Sequence, residues 1–142
     1  MLASTLLCLV ISVADGDTLT VRCGNHRPLR VRIVSIDAPE KRQAFGKQSG
    51  AHLKALCHRR QASLRTVGKD GYGRTLAHVR CAGQDTAAYQ VRAGLAWVYT
   101  PQAKRYPELV QLQKRAQASH TGLWSQKRPL APWDYRKRQR KR

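Results

Sequence analysis

Three carboxylates and two arginines in this chain have the types and spacing for phosphate chemistry. Asp37 and Glu40 stand three positions apart at the end of the run Val31-Arg32-Ile33-Val34-Ser35-Ile36, and Asp17 closes Asp15-Gly16-Asp17. Arg32 interrupts an otherwise apolar alternation, and Arg74 ends Tyr72-Gly73-Arg74. If Asp17, Asp37 and Glu40 converge, they repel one another and raise each other's pKa values. A hard divalent cation relieves that repulsion, and oxygen ligands suit calcium or magnesium. A guanidinium grips phosphate bidentately and stabilises charge developing on its oxygens. A carboxylate beside a water can orient or deprotonate it, and a bound metal polarises the phosphoryl oxygen. On this reading Arg32 and Arg74 clamp phosphate, Asp17 and Asp37 hold the cation, and Glu40 directs a water. Each residue alone has a plainer role: turn chemistry for Asp15 and Asp17, a solvated strand position for Arg32, a loop cap for Asp37 and Glu40. Their joint occurrence is the signal.

The background makes that signal sharper. The chain has 142 residues, with 27 Lys and Arg against eight Asp and Glu, for a net charge of +19. Hydrophobic residues make up 42%, enough for a folded core, so the charge does not mean disorder. The run from Arg136 to Arg142 carries six positive charges, and the rest of the chain still carries +13. A body this basic attracts polyanions, of which nucleic acid is the commonest. No apolar stretch is long enough to span a membrane. Leu6 to Val13 could pass for a signal-peptide core, but no Lys or Arg precedes it and its end is rich in strand formers. It is read as a strand of the mature protein, with any export signal absent from this sequence.

The elements that must position these groups read as follows. Leu6–Ala14 and Thr18–Cys23 are strands joined at Asp15-Gly16, a two-residue type I′ hairpin signal. Leu29–Ile36 is the third strand. A helix follows at Gly46–His58, then strands at Ala62–Val67 and Arg74–Cys81 around the turn Asp70-Gly71. Asp85 caps a short helix that Gly94 ends, Leu95–Tyr99 is extended, and Pro107–His120 is the last helix. Pro129, Pro132 and the basic run predict an extended tail over 125–142. The fold class is α+β. A small five-stranded barrel is the economical closure because it leaves no open edge, with an open sheet as the alternative. Four cysteines permit three disulfide pairings. A hairpin turn centred on Asp15-Gly16 sets Cys8 opposite Cys23, which makes that pair a hypothesis. The C-x-x-H spacing of Cys23 and His26 and the adjacent Cys57-His58 raise zinc, but no second pair has ligand spacing.

At this point the chain resembles the staphylococcal nuclease (thermonuclease) family. The matching stretches are V-A-D-G-D-T at Val13–Thr18, R-I-V-S-I-D-A-P-E at Arg32–Glu40 and G-K at Gly46-Lys47. They continue with D-G-Y-G-R-T-L-A at Asp70–Ala77, G-L-A-W-V-Y at Gly94–Tyr99 and T-G-L-W at Thr121–Trp124. The likeness covers roughly residues 5–124, in one order, which would make that span the nuclease domain and 125–142 its basic tail. It implies an OB-fold-like five-stranded Greek-key barrel with three helices and a calcium-dependent phosphodiesterase. Such enzymes cut DNA and RNA at the P–O5′ bond and leave 3′-phosphate ends. By motif, Asp17 and Asp37 match the calcium ligands and Ala38 a position whose backbone carbonyl also binds the ion. Arg32, Glu40 and Arg74 match the catalytic residues. Tyr72, Trp97 and Tyr99 fall where relatives contact the nucleotide, Trp97 in place of a tyrosine. Three departures stand out: Ala38 where some relatives have Thr, Gly71 where some have Lys, and Gln113 where Glu is common. The cysteines lie outside the family signature and look like additions of exported members, in which Cys57 would pair with Cys81. That suits a secreted or periplasmic monomer.

Two other function classes compete with a nuclease. A non-catalytic nucleic-acid-binding module on the same barrel is expected to have lost at least one of Asp17, Arg32, Asp37, Glu40 and Arg74, and all five are present. A polyanion-binding protein that works through its tail would lose function on truncation after Trp124. A nuclease would bind more weakly, with a shallower salt dependence, and still cleave.

Overall fold

The computed structural model describes residues 5–141. Strand β1 (Thr5–Asp15) turns Cys8 and Val10 into the core and leaves Leu7 and Leu9 exposed. Strand β2 (Thr18–Arg22) returns antiparallel, with Asp15 opposite Thr18, so Gly16 and Asp17 form the connection rather than Asp15 and Gly16. Gly16 stays outside the positive-φ region, so this is not the expected type I′ turn. Glycine supplies room instead: a Cβ at Gly16 would lie 1.8 Å from Ser49 Oγ and 2.8 Å from Ala38 Cβ. Two register shifts, between Val10 and Ser12 and between Val13 and Asp15, bring Leu9 opposite Arg22. Cys8 and Cys23 then meet in a disulfide. The far end of the hairpin has the expected register, reached through irregularities in β1 rather than through the expected turn.

Strand β3 (Leu29–Ile33) pairs with β2, and after it the expected strand to Ile36 is broken. Ser35 adopts φ 76°, a left-handed conformation that turns the chain out of the sheet. Its N–H donates to Gln102 Oε1 at 3.1 Å, and its carbonyl accepts from the Tyr99 N–H at 2.9 Å. Strand β4 (Ile36–Asp37) therefore belongs to a separate two-stranded ribbon. A helix α1 (Gly46–Cys57) follows, entered through a loop that passes so close that a Cβ at Gly46 would lie 1.9 Å from the Glu40 carbonyl oxygen.

Strand β5 (Gln61–Lys69) pairs with β1, and β6 (Thr75–Cys81) pairs with β5. β6 also pairs in parallel with β3, Val31 opposite Thr75 and Ile33 opposite Ala77. That last pairing closes the five-stranded barrel β3-β2-β1-β5-β6 and excludes the open sheet. Val10, Leu19, Val21, Val31, Ile33, Leu64, Ala77 and Val79 fill it, and Leu53 and Leu56 of α1 pack onto the same core. A disulfide between Cys57 and Cys81 ties the end of α1 to the end of β6.

The short β7 (Gln84–Asp85) leads into α2 (Thr86–Arg92), whose first turn is capped by Asp85 through the Ala88 N–H. Strand β8 (Trp97–Val98) partners β4, setting Asp37 opposite Trp97. A 3-10 turn at Thr100–Arg105 precedes α3 (Pro107–Ala118), and another at Gly122–Ser125 follows it. Gln113 of α3 accepts the Val98 N–H at 2.7 Å and so braces the ribbon that carries Asp37.

The extended tail expected after residue 124 is not what the chain forms. Pro132–Arg140 is a fourth helix, α4. Pro132 begins it with a preset φ, Asp134 lies in its first turn, and Lys137, Arg138 and Arg140 lie in its last, each favourable to the helix dipole. Nine residues are marginal as an isolated helix, so tertiary anchors matter. Gln43 Nε2 donates to the Leu130 carbonyl at 2.7 Å, Ala131 is buried, and the Trp133 ring packs edge-on against Trp97 and Tyr99. Among the described residues no helix is long and apolar enough to cross a membrane.

Candidate active site

The connection after β1, the break after β3 and the turn before β6 open on one cavity of about 540 Å³. Asp15, Asp17, Asp37 and Glu40 line it, half of the chain's eight acidic residues, together with Arg30, Arg32, Arg74, Arg136 and Arg140. Five of the residues expected to do chemistry, Asp17, Arg32, Asp37, Glu40 and Arg74, are thus brought to one place, with Ala38 between them.

Asp17 is held from two sides. The Ala38 N–H donates to its Oδ2 at 2.7 Å and the Thr18 hydroxyl to its Oδ1 at 2.9 Å. The turn that carries it is fastened by buried Gln90 of α2, whose Nε2 donates to the Gly16 carbonyl at 2.8 Å and the Ser49 carbonyl at 3.0 Å. Burial opposes the Asp17 charge, but Arg32 and the hydrogen bonds around it outweigh burial and hold its carboxyl below the usual range. Burial and the neighbouring Asp17 push Asp15 the other way, up to about 7.

Arg32 is not a solvated strand arginine. Its Nη2 lies 3.5 Å from Asp17 Oδ2 and 3.3 Å from Asp37 Oδ1, and its Nη1 donates to the Ile36 carbonyl at 2.9 Å and to the Ile33 carbonyl. Asp37 is buried, and burial raises its pKa against the opposing pull of Arg136 and Arg32. The two carboxylates therefore converge on one cationic point. Among the described residues no three His, Cys, Asp or Glu side chains gather into a metal site by themselves. What the turn and loop offer is a set of hard oxygens that already attracts positive charge, which fits calcium or magnesium completed by water. All four cysteines are in disulfides, so none is available to zinc.

Arg74 is set by a turn. Asp70 Oδ1 accepts the N–H groups of Tyr72 and Arg74, each at 2.9 Å, while its Oδ2 accepts from Arg74 Nε at 2.7 Å. One carboxylate thus shapes the hairpin and aims the guanidinium that leaves it. Asp70 reads in sequence as an ordinary turn residue, yet an acid four positions before the arginine, with two glycines between, is the pattern that allows this.

Of the three aromatic residues expected at the substrate, Tyr72 and Tyr99 line an adjoining cavity of about 350 Å³ with Arg32, Asp37 and Arg74. Tyr72 is 83% exposed and free to meet a ligand. Trp97 lines neither cavity. Its ring stands edge-on to Trp124 at 4.6 Å and to Trp133 at 5.6 Å, so it forms part of the floor under α4. No Cβ contact within 4 Å awaits at Gly71, so that turn presents only open space.

Arg136 was not expected at the site. Its Nη2 lies 2.6 Å from Asp37 Oδ2, and its Nη1 lies 3.2 Å from Asp37 Oδ1 and 2.7 Å from Glu40 Oε1. Within the run of basic residues nothing marks it, apart from the helix start at Pro132 and the spacing of three from Trp133 that sets both on one helix face.

A family model described as "Staphylococcal nuclease homologue" matches residues 30–126. An uncharacterized endonuclease of Haemophilus influenzae is 39% identical over 133 residues, 94% of this chain and 74% of its own length. An uncharacterized endonuclease of Escherichia coli O157:H7 is 39% identical over 130 residues, covering 91% of this chain and 84% of the relative. A micrococcal nuclease of Shigella flexneri is 34% identical over 138 residues, 90% of this chain and 79% of that protein.

Proposed function

This chain belongs to the staphylococcal nuclease family, and on that premise we propose that it is a calcium-dependent nuclease of DNA, RNA or both that leaves 3′-phosphate and 5′-hydroxyl ends. It is a phosphodiesterase, with nucleic acid as the substrate class. The observation that carries the finer reading is the convergence of Asp17 and Asp37 on Arg32, with Arg74 aimed by Asp70 into the same cavity.

In this reading Asp17, Asp37 and the Ala38 carbonyl hold the cation. When bound, calcium polarises a phosphoryl oxygen and offsets the charge that develops on it. Arg32 on β3 and Arg74 just before the neighbouring β6 grip the scissile phosphate and stabilise its oxygens as the water attacks. Glu40 orients that water and accepts its proton. The P–O5′ bond breaks, the bonding pair stays on the 5′ oxygen, which takes a proton from solvent water and leaves as a hydroxyl, and phosphate stays on the 3′ side. Tyr72 and Tyr99 flank the cavity where a nucleotide would lie. The protein acts as a monomer outside the cytoplasm in this reading, and the two disulfides support that compartment.

The test is cleavage of single- and double-stranded DNA and of RNA with calcium, magnesium or chelator, with the product ends mapped. Calcium-dependent release of 3′-phosphate ends is expected; no cleavage with calcium present defeats the reading. The Arg136 guanidinium on Asp37 and Glu40 favours one second reading, a nucleic-acid-binding module that does not cleave. That module would bind oligonucleotides and leave them intact under every metal condition.

A further inference from the structure

Arg136 neutralises the two carboxylates on which the proposed chemistry most depends. It meets Asp37 with both nitrogens and Glu40 with one, the geometry of a fork seated across two acids. The Asp37 side chain is only 2% exposed, so that arm is strong; the Glu40 arm, 37% exposed on both partners, adds little. Both oxygens of Asp37 are engaged by arginines, Oδ1 by Arg32 and Arg136 and Oδ2 by Arg136. An incoming divalent cation must take oxygen positions that a guanidinium now holds.

Arg136 arrives on an element that tertiary contacts alone hold in place. α4 is too short to be stable alone, and it sits on the barrel through Trp133, Arg136 and the Gln43–Leu130 hydrogen bond just before it. Its other basic residues, Lys137, Arg138, Arg140 and Lys141, are exposed, and Arg140 lines the cavity beside Arg136. Polyanion phosphates would attract the same helix that covers the carboxylates.

We propose that α4 is an autoinhibitory latch, with Arg136 occupying the cation position at Asp37 and Glu40 until the helix undocks and its basic face passes to nucleic-acid phosphates. The inference rests on the cation reading given above. Two ligands of one carboxylate exclude each other, so each lowers the apparent affinity of the other by the fraction of protein it has captured. By the same linkage, an oligonucleotide that pulls α4 away tightens cation binding.

The deciding experiment is calcium titration of the full chain by calorimetry, with hydrogen exchange of the α4 amides read in parallel. Wild type is compared with Arg136→Gln, Trp133→Ala and Asp37→Asn. Arg136→Gln and Trp133→Ala should each bind calcium about tenfold more tightly, as expected if only about a tenth of the wild type is undocked. Exchange over residues 132–140 should rise when calcium is added to the wild type. Trp133→Ala matters because it frees the helix without changing the charge beside Asp37. Tighter binding in Arg136→Gln alone would reduce the effect to charge repulsion and overturn the latch. Equal calcium affinity in all but Asp37→Asn would also overturn it and leave the nuclease reading intact. Lost cleavage at saturating calcium in Arg136→Gln, with unchanged affinity, would make Arg136 a phosphate clamp instead. No calcium binding sensitive to Asp37→Asn would sink the cation reading and the latch together.

Discussion

Arg32 Nη2 lies 3.3 Å from Asp37 Oδ1 although the two residues belong to different sheets. Arg32 is fixed in the barrel between Thr18 and Leu76, and Asp37 in the ribbon opposite Trp97. Only the left-handed turn at Ser35 folds the second back over the first. The centre of the site is therefore a hinge between two sheets rather than the end of one strand.

Removal of the groups that touch the phosphate or the water should cost rate without costing the fold. Glu40→Gln and Arg74→Ala are each expected to lower kcat by about a hundred- to ten-thousand-fold, the range for a positioned acid–base group or charge stabiliser. Steady-state cleavage assays beside thermal melts would check this. Near-normal rates in both would mean the chemistry lies elsewhere.

Asp70 should act through Arg74. Its loss frees the guanidinium that it holds at 2.7 Å and the turn that it caps. Asp70→Ala is expected to lower kcat by about ten- to a hundredfold through misplacement of the clamp. In an Arg74→Ala background the same change should add almost nothing. Full additivity of the two losses would refute the positioning role.

Gly16 should tolerate no side chain. A Cβ there would sit 1.8 Å from Ser49 Oγ, whose hydroxyl donates to the Leu95 carbonyl, and 2.8 Å from Ala38 Cβ. Gly16→Ala is expected to destabilise by about 1–3 kcal/mol, as overpacking does, and to weaken cation binding by shifting Asp17. Urea unfolding and a calcium isotherm read the two effects separately. Unchanged midpoint and isotherm would contradict the close approach.

Each disulfide should carry a measurable share of stability. The pairs Cys8–Cys23 and Cys57–Cys81 are separated by 15 and 24 residues. The chain-entropy argument gives about 3 kcal/mol for each. Equilibrium unfolding of the Cys8→Ser/Cys23→Ser and Cys57→Ser/Cys81→Ser double variants would measure it. A loss well under 1 kcal/mol in both would show that the barrel does not rely on them.

Local patterns in the sequence determined much of this protein. Alternation marked the barrel strands, helical spacing marked α1 and α3, Asp85 and Gly94 bounded α2, and five polar residues picked out by type line one cavity. These features depend on neighbours within a few positions, where propensity and periodicity act. The tertiary structure alone decided the rest. It placed the hairpin connection at Gly16-Asp17, because α1 and Ala38 press on Gly16. It broke β3 at Ser35, because Gln102 and Tyr99 bind the turn from more than sixty positions away. It packed Trp97 beneath a helix that the prolines and charge of residues 125–142 had argued against. And it chose Arg136 from a run of neighbouring cations, because among the described residues of that run this side chain alone reaches a buried carboxylate when Trp133 seats the helix. Contacts between distant segments set those outcomes, and no local pattern encodes them.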